Sequence, residues 1–165
     1  MAVTAAAADS ARPSPPFSIL RTGATPIRLS QYRGKVVALA FIQTTCSHCQ
    51  QFTTILNILA REYAPRGVQF LECAFNDDAV VTMPEFLERF APPYPVGYSS
   101  QAAVMTYLQR SIIDPRPVYV PHVVFLDRAG IIRAEAAGQS EFFRNPEASM
   151  RVELEKLLKG VERKK

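Results

Sequence analysis

A strongly apolar stretch that runs directly into two closely spaced cysteines is the feature that most restricts how this chain can fold. Residues 35–42 read KVVALAFI, a continuous Val-rich run typical of a strand buried on both faces. After three further residues come Cys46 and Cys49, and the apolar residues beyond them recur at helical spacing. A buried strand followed at once by a helix favours an α/β architecture.

The rest of the chain supports that architecture. The helix after the cysteines is predicted to end at Pro65 and Gly67, because proline and glycine commonly follow the last helical turn. The other predicted elements are extended segments within 17–29, a strand over 68–75, short helices over 84–90 and 100–110, a hairpin over 122–127 and 131–137, and an amphipathic helix over 146–161. The helix over 84–90 is placed to begin on its proline, since that residue is favoured in the first helical position. This order of elements predicts an α/β sandwich with a mixed sheet.

Length and composition fit one globular domain. The chain has 165 residues, of which 48% are hydrophobic and 21% charged, as in ordinary folded proteins. Residues 1–16 are rich in Ala and Pro, so we expect a flexible leader there, as an N-terminal extension, and a single domain over 17–165. The leader lacks the basic and apolar regions of a signal peptide. An exported protein whose signal had been removed would begin in the same way, so the compartment stays open.

Charge and hydropathy exclude two classes of partner. The net charge is +4 and the basic residues are scattered, so no nucleic-acid-binding surface is predicted. No apolar run reaches the ~18 residues that a membrane span needs, so no membrane anchor is visible.

The spacing of the two cysteines favours redox chemistry. Cys46 falls at the start of the predicted helix, where unpaired backbone N–H groups and the helix dipole stabilise a thiolate. Cys49 lies one turn further along the same helix, within reach of a disulfide. Three cysteines are too few for a disulfide scaffold. We therefore interpret Cys46 as the exposed nucleophile and Cys49 as the buried resolving thiol.

Metal sites are the main alternative use of such a pair. A structural zinc site needs about four Cys or His ligands, and the other candidates, Cys73, His48 and His122, form no second spaced pair. A c-type haem attachment requires a His at position 50, which is Gln50. We predict no bound metal and no cofactor, although transient capture of copper or zinc by the dithiol stays open. Cys73 is expected to be a buried apolar residue, with a third redox role as the alternative.

The stretch QYRGKVVALAFIQTTCSHCQ resembles the TlpA/ResA-like branch of the thioredoxin-fold thiol–disulfide oxidoreductases, within the redoxin and AhpC/TSA-like superfamily. Leu29, Ser30 and residues 32–35 supply that family's opening pattern before the strand. Residues 120–133, VPHVVFLDRAGIIR, are similar to the family's segment that holds a cis-proline and then a hairpin. The resemblance implies a thioredoxin-like three-layer α/β/α sandwich around a central mixed sheet.

The resemblance also implies an activity and a second part of the site. It makes Pro121 the candidate cis-proline beside the cysteines, and Val120 the residue whose backbone pairs with a bound partner segment. The implied function is disulfide exchange with the thiols and disulfides of partner proteins. An upstream protein would supply electrons to the cysteine pair or accept them from it. It further implies a monomer in the periplasm or on the outer face of a membrane, with a cytoplasmic location still possible.

Departures from the family pattern leave the proton acceptor for Cys49 unassigned. Thioredoxins carry a buried Asp six residues before the first cysteine, where this chain has Ala40, and some relatives place a Glu where it has Phe52. A buried carboxylate there can accept the proton of the resolving thiol. Glu72 and residues 77–78, both Asp, are possible substitutes, but we expect each of them to be solvated.

The residues around the nucleophile are expected to tune its reactivity. Thr45 replaces the customary Trp, and Ser47 and His48 lie between the cysteines. A donor such as His48 near Cys46 stabilises the thiolate, and with it the reduced form. We therefore predict a potential between those of thioredoxin, about −270 mV, and of the most oxidising bacterial relative, about −120 mV. The alternative is that His48 is an exposed first-turn residue with no effect.

Two other functions share the fold or the dithiol. A peroxiredoxin-type peroxidase typically has a Thr three residues before its reactive cysteine, where this chain has Gln43, and C-x-x-C spacing is atypical of that class. A copper-delivery protein of the related kind uses C-x-x-x-C and a distant His, a pattern not evident here. A dithiol–disulfide oxidoreductase is the function that the sequence favours.

Overall fold

A mixed eight-stranded sheet forms the centre of the molecule. The computed structural model describes residues 7–111 and 113–162. The strands are β1 (Ala7–Pro13), β2 (Ser18–Arg21), β3 (Ala24–Arg28), β4 (Val36–Ile42), β5 (Val68–Ala74), β6 (Val96–Tyr98), β7 (His122–Leu126) and β8 (Ile131–Ala136). Their order across the sheet is β1-β8-β7-β4-β5-β6-β2-β3. β4 is parallel to β5, and β5 to β6, while the other neighbours are antiparallel.

Helices cover both faces of this sheet. They are α1 (Ser47–Tyr63), α2 (Ala79–Phe90), α3 (Gln101–Tyr107) and α4 (Pro146–Glu162), with short 3-10 turns at Leu29–Tyr32, Ala64–Arg66 and Glu141–Arg144. α1, α2 and α4 share one apolar core with the sheet, and α3 packs in a second core on the opposite face. The predicted α/β sandwich with a mixed sheet is confirmed. Within the described ranges, no helix has the length and apolarity needed to cross a membrane.

The central position of β4 determines where the cysteines lie. All seven of its residues are buried, as expected of a strand with a neighbour on each side and helices over both faces. β7 runs antiparallel to it with His122 opposite Phe41. Pro121 therefore lies level with the last residue of β4, at the same edge of the sheet as the cysteines that follow that strand.

The N-terminal segment differs from the flexible leader expected over residues 1–16. Residues 7–13 form the edge strand β1, antiparallel to β8, and residues 1–6 lie outside the described part. The Arg12 guanidinium lies 3.5 Å from the Glu135 carboxylate on β8. The strand is held by pairing with an otherwise open sheet edge, which composition does not reveal.

The second helix also begins earlier than predicted. α2 starts at Ala79, so Pro84 lies inside it instead of opening it. Ala79, Met83 and Phe86 recur at helical spacing and are buried against the core. Their burial outweighs the backbone hydrogen bond that an internal proline removes. α3 is shorter than predicted, covering Gln101–Tyr107 with Ser100 as its N-cap.

Candidate active site

The loop between β4 and α1 is fixed by hydrogen bonds from the end of β5. Asn76 accepts the Thr44 backbone N–H at 3.0 Å and donates from Nδ2 to the Thr44 hydroxyl at 2.9 Å. Gln50, inside α1, donates to the Thr44 carbonyl at 2.8 Å. These bonds hold the loop from the segment after β5 and from α1, so the first turn of α1 leaves the sheet in one defined direction.

Cys46 is the N-cap of α1. Its sulfur accepts the backbone N–H of Cys49 at 3.3 Å, and the first helical turn contains no acidic residue. Cys46 is partly exposed, whereas Cys49 is fully buried. The pair therefore has one accessible and one protected thiol, the arrangement predicted from the spacing.

Cys49 is held in its protonated form. Burial raises the pKa of its thiol most, and the hydrogen bond with Cys46 raises it further. The Gln43 backbone opposes this rise, while the charges of Cys46 and, least of all, Glu72 add to it. A thiol with a raised pKa is a poor nucleophile until its proton is removed. Its chemistry therefore depends on a proton acceptor nearby.

Glu72 lies in the core beside the pair, and the expectation that it would be solvated is wrong. Its side chain is 0% exposed. The Thr53 hydroxyl donates to Oε1 at 2.7 Å, and the Tyr94 hydroxyl donates to Oε2 at 3.1 Å. Burial raises the pKa of this carboxyl to about 7, although the two hydrogen bonds oppose the rise. Asp77 and Asp78 are exposed, as expected.

The register of the two central strands explains why Glu72 reaches this position. Ala40 of β4 is paired with Glu72 of β5, and their neighbours at alternate positions pack in the core under α1. Side chains alternate along a strand, so Glu72 points to the same side. The position of the thioredoxin acid is thus occupied by a small alanine, and a carboxyl from the next strand lies alongside it.

Thr53 connects this carboxyl to the second cysteine. Its hydroxyl lies 2.7 Å from the Glu72 carboxylate and 3.0 Å from the backbone carbonyl of Cys49. A hydroxyl has one proton and can also accept. Ionised Glu72 therefore receives that proton, whereas protonated Glu72 can donate to Thr53 and leave the hydroxyl free to donate to Cys49.

The predicted proline lies at the same edge of the sheet. The Val120–Pro121 peptide bond is cis, which confirms the expectation from the sequence. Pro121 is buried and Val120 is half-buried. Both line a groove of about 340 Å³ whose other side is formed by α1, including His48 and Ile55. An open groove therefore lies between the cis-proline and the first turns of α1.

The predicted tuning residues are all exposed. His48 and Ser47 lie in the first turn of α1, and His48 faces the groove beside Pro121. Thr45 lines a smaller cleft on the side of α2, where it lies near Arg89. Their influence on the potential stays a prediction.

The remaining candidates lie away from the pair. Cys73 is fully buried, and burial raises the pKa of its thiol. It packs in the core under α3, on the opposite face of the sheet from Cys49. His122 contacts the Glu135 carboxylate at 3.2 Å. Over the described residues, no group of three or more Cys, His, Asp or Glu side chains is placed to hold a metal.

A mixed sheet that presents a C-x-x-C pair at a helix N-terminus, opposite a cis-proline, defines a thioredoxin-like protein. The chain belongs to the Redoxin family, whose model matches residues 7–149. It is 33% identical over 78 residues to the thiol-disulfide oxidoreductase ResA of Geobacillus kaustophilus (strain HTA426). That match covers 47% of this chain and 44% of the relative, so the chain spans less than half the length of this curated relative.

Solved structures with low sequence identity share the fold. A thiol:disulfide interchange protein from Chlorobium tepidum TLS has a TM-score of 0.69 at 19% identity, covering 88% of this chain and 97% of its own. A hypothetical protein from Sinorhizobium meliloti 1021 has a TM-score of 0.74 at 15% identity, covering 97% and 87%. These similarities confirm the thioredoxin-like fold expected from the sequence.

Proposed function

We propose that this protein is a thiol–disulfide oxidoreductase that exchanges disulfides with protein partners through Cys46 and Cys49. The observation that carries the proposal is that a partly exposed sulfur at a helix N-terminus accepts the backbone N–H of Cys49, one turn away, whose own thiol is fully buried. The Cys46 thiolate attacks a partner disulfide, and one partner sulfur leaves as a thiol. Cys49 then loses its proton and attacks Cys46 Sγ, which releases the second partner thiol. Two electrons pass to the partner, and the reverse sequence oxidises a partner dithiol.

Glu72 is the proton acceptor in this scheme. It is a buried carboxyl whose charge acts directly on Cys49. Its pKa of about 7 leaves a substantial ionised fraction at neutral pH, and general bases act best when their pKa lies near the working pH. The Thr53 hydroxyl donates its single proton to ionised Glu72 and stabilises that charge, and once Glu72 is protonated the hydroxyl can donate to the backbone carbonyl of Cys49 instead.

Val120 and Pro121 form the partner-binding edge in the proposal. The backbone of Val120 pairs with an extended partner segment, and the groove beside it receives the partner's side chains. The position of this edge at the end of β4 and across the groove from α1 supports the assignment. His48, Ser47 and Thr45 form the surface that a partner meets around the nucleophile.

Cysteine variants test the activity. With dithiothreitol as donor, the wild-type chain is expected to accelerate reduction of insulin disulfides, and Cys46→Ser to abolish this. Cys49→Ser should instead accumulate a mixed disulfide at Cys46, because the resolving thiol is missing. Cys73→Ser is the matched control and should retain activity. Turnover of hydrogen peroxide that survives Cys49→Ser would favour a peroxidase, and copper retained through gel filtration would favour a metal-delivery protein.

The physiological setting follows from the resemblance to TlpA/ResA-like proteins. We propose that the protein works outside the cytoplasm as a monomer, with an upstream protein that supplies or removes electrons. Trapping Cys49→Ser mixed disulfides in cells, followed by fractionation, would identify both compartment and partner. Adducts found only with cytoplasmic proteins would contradict this setting.

A further inference from the structure

Gly138 lies in unusually close contact with the proposed partner-binding edge. It follows β8 and donates its N–H to the Tyr119 carbonyl at 3.3 Å. A Cβ atom built at this position would lie 2.6 Å from the Val120 carbonyl oxygen and 2.9 Å from its carbonyl carbon. Its φ is outside the left-handed region, so an alanine could adopt the same backbone. Close approach of two backbones, and no special dihedral angle, is therefore what requires glycine here.

We infer that Gly138 is a positioning residue that sets the backbone of Val120 for pairing with the partner, an inference that rests on the proposed function. Val120 precedes a buried proline and the first residue of β7, which is paired with β4. Its backbone is thus held from the C-terminal side by the sheet. Gly138 supports it from the other side, across the groove wall that the two residues share.

The segment that carries Gly138 is itself fixed. Ser140 donates both its backbone N–H and its hydroxyl to the Ala137 carbonyl, at 2.9 and 2.6 Å. Two residues later Phe142 is buried in the core, with its ring 6.0 Å from that of Phe125. An added methyl group at 138 would therefore meet two backbones that are both anchored, and one of them would have to move.

The expected displacement is large enough to affect partner binding. Carbon–oxygen contacts between backbones are usually about 3.3–3.6 Å, so relief of the clash needs a shift of about 0.7 Å or more. Misplacement by about 1 Å at a binding surface can cost on the order of a hundredfold in rate. The hydrogen bonds of Cys46 involve Gln43, Cys49 and Gln50 and do not include this edge, so we expect the displacement to leave the exchange between the two sulfurs unchanged.

Gly138→Ala, compared on a large and a small substrate, tests the inference. With insulin, we expect kcat/KM to fall about tenfold, mainly through a higher KM. With hydroxyethyl disulfide, which is too small to pair with Val120, the rate should stay within about twofold of wild type. The potential of the Cys46–Cys49 couple should be unchanged.

Gly97→Ala is the matched control. A Cβ at this position would lie 2.1 Å from the Leu20 carbonyl oxygen, a backbone clash of the same kind in β6, two strands away from β4. It should lower thermal stability but leave the ratio of insulin to small-disulfide activity at the wild-type value. Gly160 lies on α4 with open space around the position of an added Cβ. Gly160→Ala should therefore lower neither the thermal stability nor the ratio of insulin to small-disulfide activity.

The outcomes separate the inference from the proposed function. Equal activity ratios for wild type and Gly138→Ala, or a lowered ratio in Gly97→Ala as well, would overturn the positioning role. A wild-type chain inactive on both substrates would overturn the proposed function itself. If Gly138→Ala does not fold, amide exchange in a chain that keeps Gly138 replaces it. Trapping a peptide on Cys46 of Cys49→Ser should then slow exchange at both Val120 and Gly138, and an effect at Val120 alone would contradict the inference.

Discussion

Glu72 is the residue on which the proposed chemistry most depends after the cysteines. It supplies a buried carboxyl beside Cys49 although the two positions used by relatives hold Ala40 and Phe52. The sequence contained one signal of this role: a single charged residue within the apolar strand segment VQFLECAF. The solvated interpretation failed because β5 is an inner strand with a buried core on each face, so a side chain at position 72 is buried whichever way it points, and one sequence does not specify that position in the sheet.

Replacement of Glu72 by Gln should slow the resolving step. Gln has nearly the same shape but accepts no proton, so we expect resolution of the mixed disulfide at pH 7 to slow by about 10²-fold. In the wild-type chain the rate should rise with pH through about 7, as the carboxyl ionises. Stopped-flow measurement of partner release across this range is the test.

Asp77→Asn is the control for that experiment, because Asp77 is an exposed carboxyl close in sequence. It should retain both the rate and the pH profile. An unchanged profile in Glu72→Gln would show that water or another group accepts the proton.

The same carboxyl should make folding stability depend on pH. Its pKa is about 7 in the folded chain and 4.5 ordinarily, so the folded state keeps a proton that the unfolded state releases between these values. Stability conferred by the proton is complete below about pH 4.5 and is lost as pH rises through about 7. The full difference is about 3 kcal/mol, at about 1.4 kcal/mol for each pKa unit.

Urea unfolding of the reduced protein at pH 5 and pH 8 measures this effect. Wild type should lose stability between the two conditions, and Glu72→Gln should lose much less. Parallel behaviour of the two proteins would mean that Glu72 does not carry the dependence.

Helices and strands that carry their own sequence pattern were predicted well, whereas those that form only through contact with other elements of the fold were not. β4, α1, the β7–β8 hairpin and α4 each carry their own apolar pattern or turn residues, and the structure places them within a few residues of the predicted bounds. The β1 segment has no such pattern, and it forms a strand because it pairs with the edge of β8. The start of α2 depends on burial against the core, which outweighs the local preference of Pro84 for a helix start.

Removal of residues 1–13 tests whether β1 belongs to the domain. The truncation deletes the ladder with β8 and the ion pair between Arg12 and Glu135. We expect Tm to fall by on the order of 5 °C, since 1 kcal/mol corresponds to about 2–4 °C in a chain of this size. The potential of the cysteine pair should not change, because β1 lies three strands from β4. An unaltered Tm would mean that residues 1–13 add no stability, as expected of the flexible leader that the composition predicts.

The whole molecule separates its three thiols by means of the sheet. Cys46 lies at the start of α1 and Cys49 packs in the core under that helix, whereas Cys73 packs in the core on the opposite face of the sheet. The fold therefore isolates a two-cysteine couple from the third thiol and places it beside the cis-proline edge. The class of fold and the placement of Cys46 and Cys49 at the start of a helix could be predicted because strand, C-x-x-C and helix are contiguous, whereas the roles proposed for Glu72 and Gly138 depend on contacts distant in sequence.

Redox titration with peptide mapping tests the central claim most directly. The protein is equilibrated across buffers of reduced and oxidised glutathione, free thiols are blocked, and the disulfides are identified by mass spectrometry. We predict a single two-electron transition between about −270 and −120 mV, with a disulfide joining Cys46 to Cys49 and Cys73 still a thiol. Absence of that disulfide, a cross-link to Cys73, or a potential below that of thioredoxin would contradict the account.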